Sequence, residues 1–299
     1  MTSTVLSTVH HKRHRRTNAQ IDDMRGTITA ILSVDHPQSV RHVFYRLTDP
    51  RLSCAVEKSE RGYRHVQYQL SEMRKDGVLP FGWITDATRM GYFVDTFDGS
   101  ADFVERISGI YRADAWKYAD HYVEIWCESR SIGGVIRPLC REFGVSLYPA
   151  GGFTSHTLPY EAALDIDRIV GETDKAIEIL YIGDFDPAGV LIDRDIEAKL
   201  RRHLTTSNAL TFHRLGINED QIKVFDLPTN PRKESDRRVL HMRETVEAEA
   251  MPANILRNIL RTKIESYLPE GALQATQVAE QSERDYLNRL AALMKGEGK

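Results

Sequence analysis

Cysteine is scarce in this chain, and the chain has neither long apolar runs nor an excess of one charge. The three cysteines, Cys54, Cys127 and Cys140, are odd in number and widely spaced, which fits neither a disulfide framework nor a zinc site. A reducing compartment is therefore expected. No apolar run approaches the length of a membrane span, and the N-terminus shows no signal-peptide pattern. The sequence predicts a cytoplasmic protein with no membrane partner.

The charge balance excludes a protein whose whole surface is basic. Lys and Arg number 40 against 43 Asp and Glu, a formal net charge of -3, so any nucleic-acid partner must be bound by a local patch. The 299 residues are 41% hydrophobic and 28% charged, which is typical of a soluble globular chain long enough for two domains. The pattern Gly-x-x-x-x-Gly-Lys-Ser/Thr is missing from the sequence, which excludes a P-loop nucleotide site.

Residues 179–189, Ile-Leu-Tyr-Ile-Gly-Asp-Phe-Asp-Pro-Ala-Gly, carry the strongest local pattern. The apolar run, closed by Gly and Pro, predicts a buried parallel strand that feeds a helix. If the backbone stays extended, Asp184 and Asp186 lie on one side and Phe185 on the other. Two such carboxylates suit Mg²⁺, which takes one or two carboxylates, waters and substrate phosphates. Taken alone, the pair favours a structural alternative, because Asp186 before Pro187 is a typical helix start.

A second predicted strand also ends in an acidic residue. Residues 122–127 predict a strand that leads into Glu128 and then into a helix-like segment. In an open parallel sheet, ligands bind outside the carboxyl ends of the strands. We therefore expect Glu128 to converge with Asp184 and Asp186 on one edge. Glu124 lies mid-strand and is interpreted as structural or edge-exposed.

The first part of the chain predicts a basic arm followed by helices. Residues 1–17 carry a run of His, Lys and Arg and are interpreted as a mobile basic arm. A helix over about 18–32 and a second over 40–47 follow, the second with the i, i+3, i+4, i+7 apolar spacing of a core-facing helix. Arg41 and Tyr45 lie one turn apart on its opposite face, which places a guanidinium beside a phenol. By itself this pair is more typical of an ordinary surface tyrosine and its neighbour.

A third helix with a basic face completes a DNA-binding pattern. It covers about residues 59–76, and residues 78–84 after it are interpreted as a short hairpin, or wing. Three helices with a basic third helix and a wing describe a winged helix-turn-helix domain over residues 18–89. The side chains expected to contact duplex DNA are Arg61, Arg64, His65, Tyr68, Lys75 and Arg89. The same face is equally compatible with simple solvation.

The remainder of the chain predicts an α/β domain. Residues 90–118 are interpreted as a linker with one helix, and strands and helices alternate over 119–299. Such alternation is typical of a parallel sheet covered on both faces. A further strand is predicted over residues 222–227, before a polar loop whose Arg232 and Lys233 are additional candidate DNA contacts.

These features in combination resemble a known family. Glu128 at one strand end, with Asp184 and Asp186 at another, is similar to the Toprim domain shared by topoisomerases, primases and some nucleases. The segment around Arg41 and Tyr45, Ser-Val-Arg-His-Val-Phe-Tyr, resembles the catalytic helix of the topoisomerase VI A subunit and of the meiotic double-strand-break transesterase. Near the C-terminus, Leu-Pro-Thr-Asn-Pro-Arg-Lys-Glu-Ser-Asp and then Val-Glu-Ala-Glu-Ala-Met-Pro resemble compact bacterial, phage and plasmid A-subunit-like proteins. The resemblance implies a CAP-like winged-helix domain followed by a Toprim domain with C-terminal helices.

The resemblance also implies a type IIB topoisomerase mechanism. Tyr45 would attack a phosphodiester of double-stranded DNA to give a 5′-phosphotyrosyl link, with Arg41 assisting. Mg²⁺ would be held by Glu128, Asp184 and Asp186. In the family the tyrosine of one subunit meets the metal of its partner, so a homodimer is expected. Strand passage driven by ATP would need a separate ATPase subunit, because no ATPase elements occur in this sequence.

Two other functions stay open. A Toprim nuclease of the defence type would use water as the nucleophile and keep Tyr45 only for packing or DNA contact. A non-catalytic winged-helix protein would bind DNA without Mg²⁺ and without cleavage. Loss of a covalent protein–DNA adduct in Tyr45→Phe separates the water nuclease from the transesterase, and metal-dependent nicking that is lost in Asp184→Ala excludes the non-catalytic protein.

Overall fold

The computed structural model describes residues 16–85, 94–152, 157–171, 173–205, 210–232 and 242–296. Its helices are α1 Asn18–Val34, α2 Val40–Leu47, α3 Glu60–Lys75, α4 Ser100–Ile110, α5 Arg130–Phe143, α6 Thr157–Val170, α7 Gly189–His203, α8 Glu219–Val224, α9 Ala253–Glu265 and α10 Ala272–Met294. Its strands are β1 His121–Cys127, β2 Ser146–Pro149, β3 Ala176–Ile182, β4 Leu210–Gly216, β5 Asn230–Pro231 and β6 Glu244–Thr245. Short 3₁₀ turns occupy Phe81–Trp83 and Ala248–Ala250.

A four-stranded parallel sheet is the centre of the fold. Its strand order is β2-β1-β3-β4, and β1 pairs with β3 from His121 opposite Ala176 to Cys127 opposite Ile182. Helices α5 and α9 cover one face through one hydrophobic core, and α6 and α7 cover the other face through a second core. The predicted α/β class, with a parallel sheet covered on both faces, is confirmed.

The three N-terminal helices form where the sequence signals place them. Helices α1, α2 and α3 each begin after a hydroxyl side chain that accepts a hydrogen bond from the first turn, and these caps are Thr17, Ser39 and Ser59. Their inner faces belong to the same hydrophobic core as α5 and α9. Arg257 of α9 also pairs with Asp35, just after α1. The N-terminal helices are therefore packed onto the α/β part of the chain.

The hairpin expected over residues 78–84 does not form. Phe81–Trp83 make a 3₁₀ turn, and Ile84 makes a single parallel bridge with Gln38. Pro80 has no amide hydrogen to donate to a hairpin ladder, and Ile84 is buried. The segment therefore closes the core of the N-terminal helices instead of projecting as a wing.

The segment interpreted as a linker carries a docked helix. Helix α4 packs along α10, and Ser108 of α4 donates to the Asn288 side chain at 2.6 Å. Arg112, just after α4, pairs with Glu280 of α10 at 2.6 Å. Residues 94–118 are thus held against the C-terminal helix rather than forming only a spacer.

One predicted strand is wrong, and three strands that the structure describes, β4, β5 and β6, were not predicted. Residues 219–224 form helix α8, where the sequence analysis expected a strand over 222–227. Gln221 accepts from the amide of Asn218 at 3.0 Å, as in a capping box, and this helix-start signal outweighs the short apolar run. The fourth strand of the sheet is β4. It was not predicted because polar side chains interrupt the apolar pattern of its sequence, Leu-Thr-Phe-His-Arg-Leu-Gly.

Helix α10, with 23 residues, is the longest helix that the structure describes. It carries charged side chains along its middle, and these are Glu280, Glu283, Arg284, Asp285 and Arg289. No helix among the described ranges combines the length and the apolar character needed to cross a membrane.

Candidate active site at the carboxyl edge of the sheet

The carboxyl ends of β1 and β3 bring two acidic residues together. The amide of Glu128 donates to the carbonyl of Ile182 at 2.8 Å, and Glu128 Oε2 accepts from the amide of Asp184 at 3.0 Å. The start of α7 approaches closely because Gly189 lacks a Cβ, which would lie 2.1 Å from the Asp184 carbonyl oxygen and 3.2 Å from Glu128 Oε2. The structure therefore brings Glu128 and Asp184 together at one edge of the sheet.

The glycine pair after β2 supports the same edge. Gly151 and Gly152 have φ values of 73° and 95°, in a region that favours glycine. Their amides donate to the carbonyl of Glu128 at 2.8 and 3.2 Å. The glycine loop thus fixes the backbone that carries the Glu128 carboxylate.

Asp186 has a different role from Asp184. Its Oδ1 accepts from the amides of Ala188 and Gly189 at 2.9 and 2.6 Å, so it caps the first turn of α7 as the structural alternative expects. Its charge still acts on Glu128, whose pKa is raised first by burial and also by Asp186. Asp186 therefore adds negative charge to the edge while one of its oxygens is engaged by the helix start.

A distant segment supplies two carboxylates that the sequence analysis did not assign to the site. Phe185 and Val246 exchange two backbone hydrogen bonds of 2.8 and 2.9 Å, and the amide after Glu247 donates to Asp184 Oδ1 at 2.8 Å. This pairing places Glu247 and Glu249 near Glu128, Asp184 and Asp186. These five carboxylates form the acidic edge of the sheet. The one available signal was the Val-Glu-Ala-Glu-Ala segment of the resemblance, since nothing in its local pattern predicts which strand end it joins.

Glu249 is held by the loop that begins α5. Ser129 Oγ donates to Glu249 Oε1 at 3.1 Å, and Ser131 donates to the same oxygen. Ser129 also caps α5 by accepting from the amide of Ile132 at 3.1 Å. A cavity of about 310 Å³ lies here and is lined by Arg41, Ser129, Arg130, Ser131, Asp184, Glu247 and Glu249.

Arg41 and Tyr45 both contact Glu247. Tyr45 Oη donates to Glu247 Oε2 at 2.9 Å, and the Arg41 guanidinium pairs with the same oxygen. Tyr45 is only 8% exposed, so the expectation of an ordinary surface tyrosine is wrong, because the segment after β6 packs on this face of α2. The hydroxyl is aimed at the carboxylates, and the contact is made within one chain. A tyrosine that acts at the site of a partner subunit stays a prediction of the resemblance.

Two cationic groups, Lys58 and Arg41, lie near the pair formed by Tyr45 and Glu247. The Lys58 ammonium lies 5.7 Å from the centre of the Tyr45 ring, and burial lowers the pKa of Lys58. The Arg41 guanidinium lies 5.1 Å from the centre of the Tyr63 ring. Burial opposes the charge of Arg41, but the hydrogen bond and the charge of Glu247 raise its pKa. Arg41 is therefore charged at any physiological pH and is placed to meet an anionic ligand.

The acidic edge holds carboxylates that repel one another. Burial, followed by the charges of Glu128 and Glu249, raises the pKa of Asp184 to about 8. Burial, followed by the charge and the hydrogen bond of Glu247, also raises the pKa of Tyr45. At neutral pH this arrangement favours a protonated phenol and a largely protonated Asp184. A cation at this edge would reverse the preference of Asp184.

The donor set fits a hard divalent cation. Across the ranges that the structure describes, no group of three or more His, Cys, Asp or Glu side chains is arranged to hold a metal ion by itself. Mg²⁺ does not need such a cage, because it is usually bound by one or two carboxylates and completes its shell with waters and phosphate oxygens. Glu128 and Asp184 supply carboxylates of this kind, and the high pKa of Asp184 reflects charge that a cation would offset. These two residues are the candidate protein ligands for Mg²⁺.

The predicted DNA contacts on α3 lie along one exposed or partly exposed face, and these are Arg61, Arg64, His65, Tyr68 and Lys75. Arg64 pairs with Glu60 at 3.0 Å, and Lys75 pairs with Glu72 at 2.8 Å. Such exposed pairs along a helix contribute little stability, so these cations can exchange a carboxylate for a phosphate. Their role as DNA contacts stays a prediction.

Three further DNA contacts were predicted, and these are Arg89, Arg232 and Lys233. Arg232 directly follows β5, which pairs antiparallel with β6, and its amide donates to the carbonyl of Arg243 at 3.0 Å. Arg89 and Lys233 lie outside the described residues.

Comparison of the chain with protein-family models, with curated proteins and with solved structures gives no match. The functional interpretation therefore rests on the residues and on the geometry of the site.

Proposed function

We propose that this protein is a Mg²⁺-dependent DNA strand transesterase of the type IIB topoisomerase A-subunit kind, with Tyr45 as the nucleophile. The observation that carries the proposal is the 2.9 Å hydrogen bond from Tyr45 Oη to Glu247 Oε2. Buried tyrosines usually find a hydrogen-bond partner, but here the partner belongs to an acidic cluster that suits a cation. Arg41 contacts the same carboxylate, and its guanidinium supplies the positive charge that pairs with a phosphate.

The residues of the chain divide the reaction between them. Glu247 accepts the phenolic proton as Tyr45 Oη attacks the phosphorus of a DNA phosphodiester. The bond from phosphorus to Oη forms and the bond to the 3′ oxygen breaks. That oxygen takes a proton from solvent, which leaves a 3′ hydroxyl and a 5′-phosphotyrosyl link. Arg41 pairs with the phosphate charge that grows during the attack. When bound by Glu128 and Asp184, Mg²⁺ supplies Lewis-acid stabilisation of that charge.

A metal-dependent nuclease that uses water is the second candidate, and the state of Tyr45 favours it. Burial and Glu247 raise the pKa of Tyr45, which is the opposite of the activation that a nucleophile requires. The cavity beside Asp184, about 310 Å³ in volume, has room for water molecules of about 30 Å³ each without displacement of Tyr45. In this case Tyr45 would position Glu247 and would form no covalent bond.

Incubation with supercoiled plasmid and Mg²⁺ separates the two candidates. The parent protein is expected to give broken DNA that enters the gel as a sharp band only after protease digestion, because the protein stays attached to the 5′ ends. Tyr45→Phe is expected to abolish this product, since the attacking oxygen is gone. Tyr160→Phe, an exposed tyrosine of α6 on the other face of the sheet, is the matched control and should keep it.

The outcomes are distinct for each candidate. Protein-free ends produced by Tyr45→Phe at the parental rate would identify the water nuclease and reject the transesterase. Absence of any Mg²⁺-dependent cleavage by the parent would reject both enzymes and favour a non-catalytic DNA-binding protein.

A further inference from the structure

A second cavity, of about 690 Å³, lies beside the acidic edge. Asp184 lines the acidic cavity, and the next residue, Phe185, lines this one. Consecutive residues of an extended backbone point to opposite sides, and the two hydrogen bonds between Phe185 and Val246 hold the backbone in that form. One short segment therefore separates the two cavities and serves both.

The floor of the second cavity is apolar. It is formed by the Phe185 ring with Val190 of α7, Ile222 of α8 and Met242. Met242 is buried, and the other three are partly buried. A volume of about 690 Å³ falls within the range of sites that bind small ligands or single nucleotides, roughly 300 to 1,000 Å³.

The rim of the second cavity has a net positive charge, because it carries Arg194, Lys223 and Arg243 against Glu219 and Glu244. Arg194 of α7 and Arg243 line it and are exposed to solvent. Lys223 also lines it but is paired with Glu219 at 2.9 Å, so that this pair is neutral overall. An aromatic floor beneath an arginine rim is the combination that proteins use to bind unpaired nucleotides, because bases stack on the ring and phosphates pair with the cations.

We propose that this cavity binds an unstacked nucleobase of the DNA strand that is being cut, next to the phosphate at the acidic edge. The inference rests on the proposed function, because it takes DNA as the substrate. A base that is stacked within a duplex cannot enter a pocket, so the nucleotide must be unpaired or rotated out of the stack. The phosphate of that nucleotide would face Arg194 and Arg243, and the base would contact Phe185 and Ile222.

Fluorescence of 2-aminopurine tests the binding of a base without requiring cleavage. Duplex and single-stranded oligonucleotides would carry 2-aminopurine at each position in turn, and they would be mixed with full-length Tyr45→Phe protein without Mg²⁺. Fluorescence is expected to rise at one position of the duplex, because that base leaves the stack when the protein binds.

Filling the cavity should abolish the signal. Ile222→Trp, made in the Tyr45→Phe protein, is expected to remove the fluorescence rise and to weaken single-strand binding about tenfold, which is the effect of losing one stacked base. Val224→Trp is the matched control, since Val224 lies on the same helix but is exposed and does not line the cavity. Made in the same Tyr45→Phe protein, it should keep the fluorescence rise and the affinity for single strands. An equal rise and equal affinity in Ile222→Trp would overturn the inference.

A rim variant keeps the test valid if Ile222→Trp does not fold. Arg194→Ala is expected to reduce the salt dependence of DNA binding by about one phosphate contact, while Arg202→Ala, exposed on the same helix, should not. Identical salt dependence in both variants would count against the cavity. If the parent protein forms the covalent adduct but Tyr45→Phe gives no fluorescence rise, this inference alone is rejected. A fluorescence rise in Tyr45→Phe without any adduct in the parent protein rejects the proposed function and leaves the cavity assigned.

Discussion

Glu124 is buried within β1, Asp184 is partly buried just after the neighbouring strand β3, and the surroundings of these two acids differ in kind. The pKa of Glu124 is raised to about 7 and that of Asp184 to about 8, in both cases first by burial. Glu124 accepts hydrogen bonds from Tyr122 Oη at 2.9 Å and Trp126 Nε1 at 3.0 Å, which act to lower its pKa. Asp184 instead faces further carboxylates, Glu128 first among them. An acid surrounded by donors has a structural explanation, whereas an acid surrounded by acids is a candidate for cation binding.

Asp184→Asn should separate the two acids most clearly. Cleavage of plasmid DNA in Mg²⁺ should fall on the order of a thousandfold, because a group that stabilises charge at the reacting phosphate is removed. Without Mg²⁺, the melting temperature should equal that of the parent at neutral pH, where Asp184 is largely protonated. It should exceed that of the parent above pH 8, where a partly buried and repelled carboxylate is replaced by a neutral group. Gel assays and thermal melts of the same preparations measure both.

Glu124→Gln is the matched control for Asp184→Asn. It replaces a buried acid on the adjacent strand outside the proposed site, so cleavage should stay within about twofold of the parent once the protein is folded. Equal losses of cleavage in the two variants would contradict a structural role for Glu124 and a functional role for Asp184.

Mixing two inactive variants tests whether Tyr45 acts at the acidic edge of its own chain or at that of a partner chain. Tyr45→Phe and Asp184→Asn chains would carry different affinity tags and be co-purified through both tags in turn. Because Tyr45 contacts Glu247 of its own chain at 2.9 Å, the mixed assembly is expected to form no more DNA adduct than either variant alone. Recovery of adduct in the mixture would instead support a tyrosine that acts at the acidic edge of its partner, as the family resemblance implies.

The pH dependence of stability tests the structural role of Glu124. The folded pKa of Glu124, about 7, lies above its ordinary value of 4.5, so the folded state binds the proton more tightly than the unfolded chain. Its contribution is complete below about pH 4.5 and is lost as pH rises through 7. Between pH 5 and 8 the free energy of unfolding of the parent should fall by about 2 to 3 kcal/mol more than that of Glu124→Gln. Urea titrations at the two pH values give this difference, and parallel curves would contradict a buried, titrating Glu124.

Local signals account for the elements that were predicted correctly. The caps Thr17, Ser39 and Ser59 start the first three helices, since a side-chain acceptor within three residues is enough to satisfy the first turn. The strand before Asp184 is apolar enough to be recognised without its partners. Where two local signals competed, as in residues 219–227, the helix cap outweighed the apolar run, and the predicted strand was wrong.

The candidate site was only partly predictable for a different reason. The convergence of Glu128 with Asp184 follows from a general property of parallel sheets, so it needed only the order of the strands. The parts played by Glu247 and Glu249 follow from the pairing of Phe185 with Val246, which no local spacing encodes. Asp186, predicted as a ligand, has one oxygen bound to the start of α7.

The sequence by itself determined the helices and strands that carry periodic apolar patterns, the acidic strand ends, and the placement of Arg41 and Tyr45 on one face of α2. The burial of Tyr45 and the contact of its hydroxyl with Glu247, a residue 202 positions away in the chain, follow from the packing of the folded chain and from no local pattern. Periodicity and capping depend on neighbours within a few residues, so short segments of the sequence are enough to predict them. Contact between distant segments depends on the summed packing of the whole core, so it emerges only when the chain is folded.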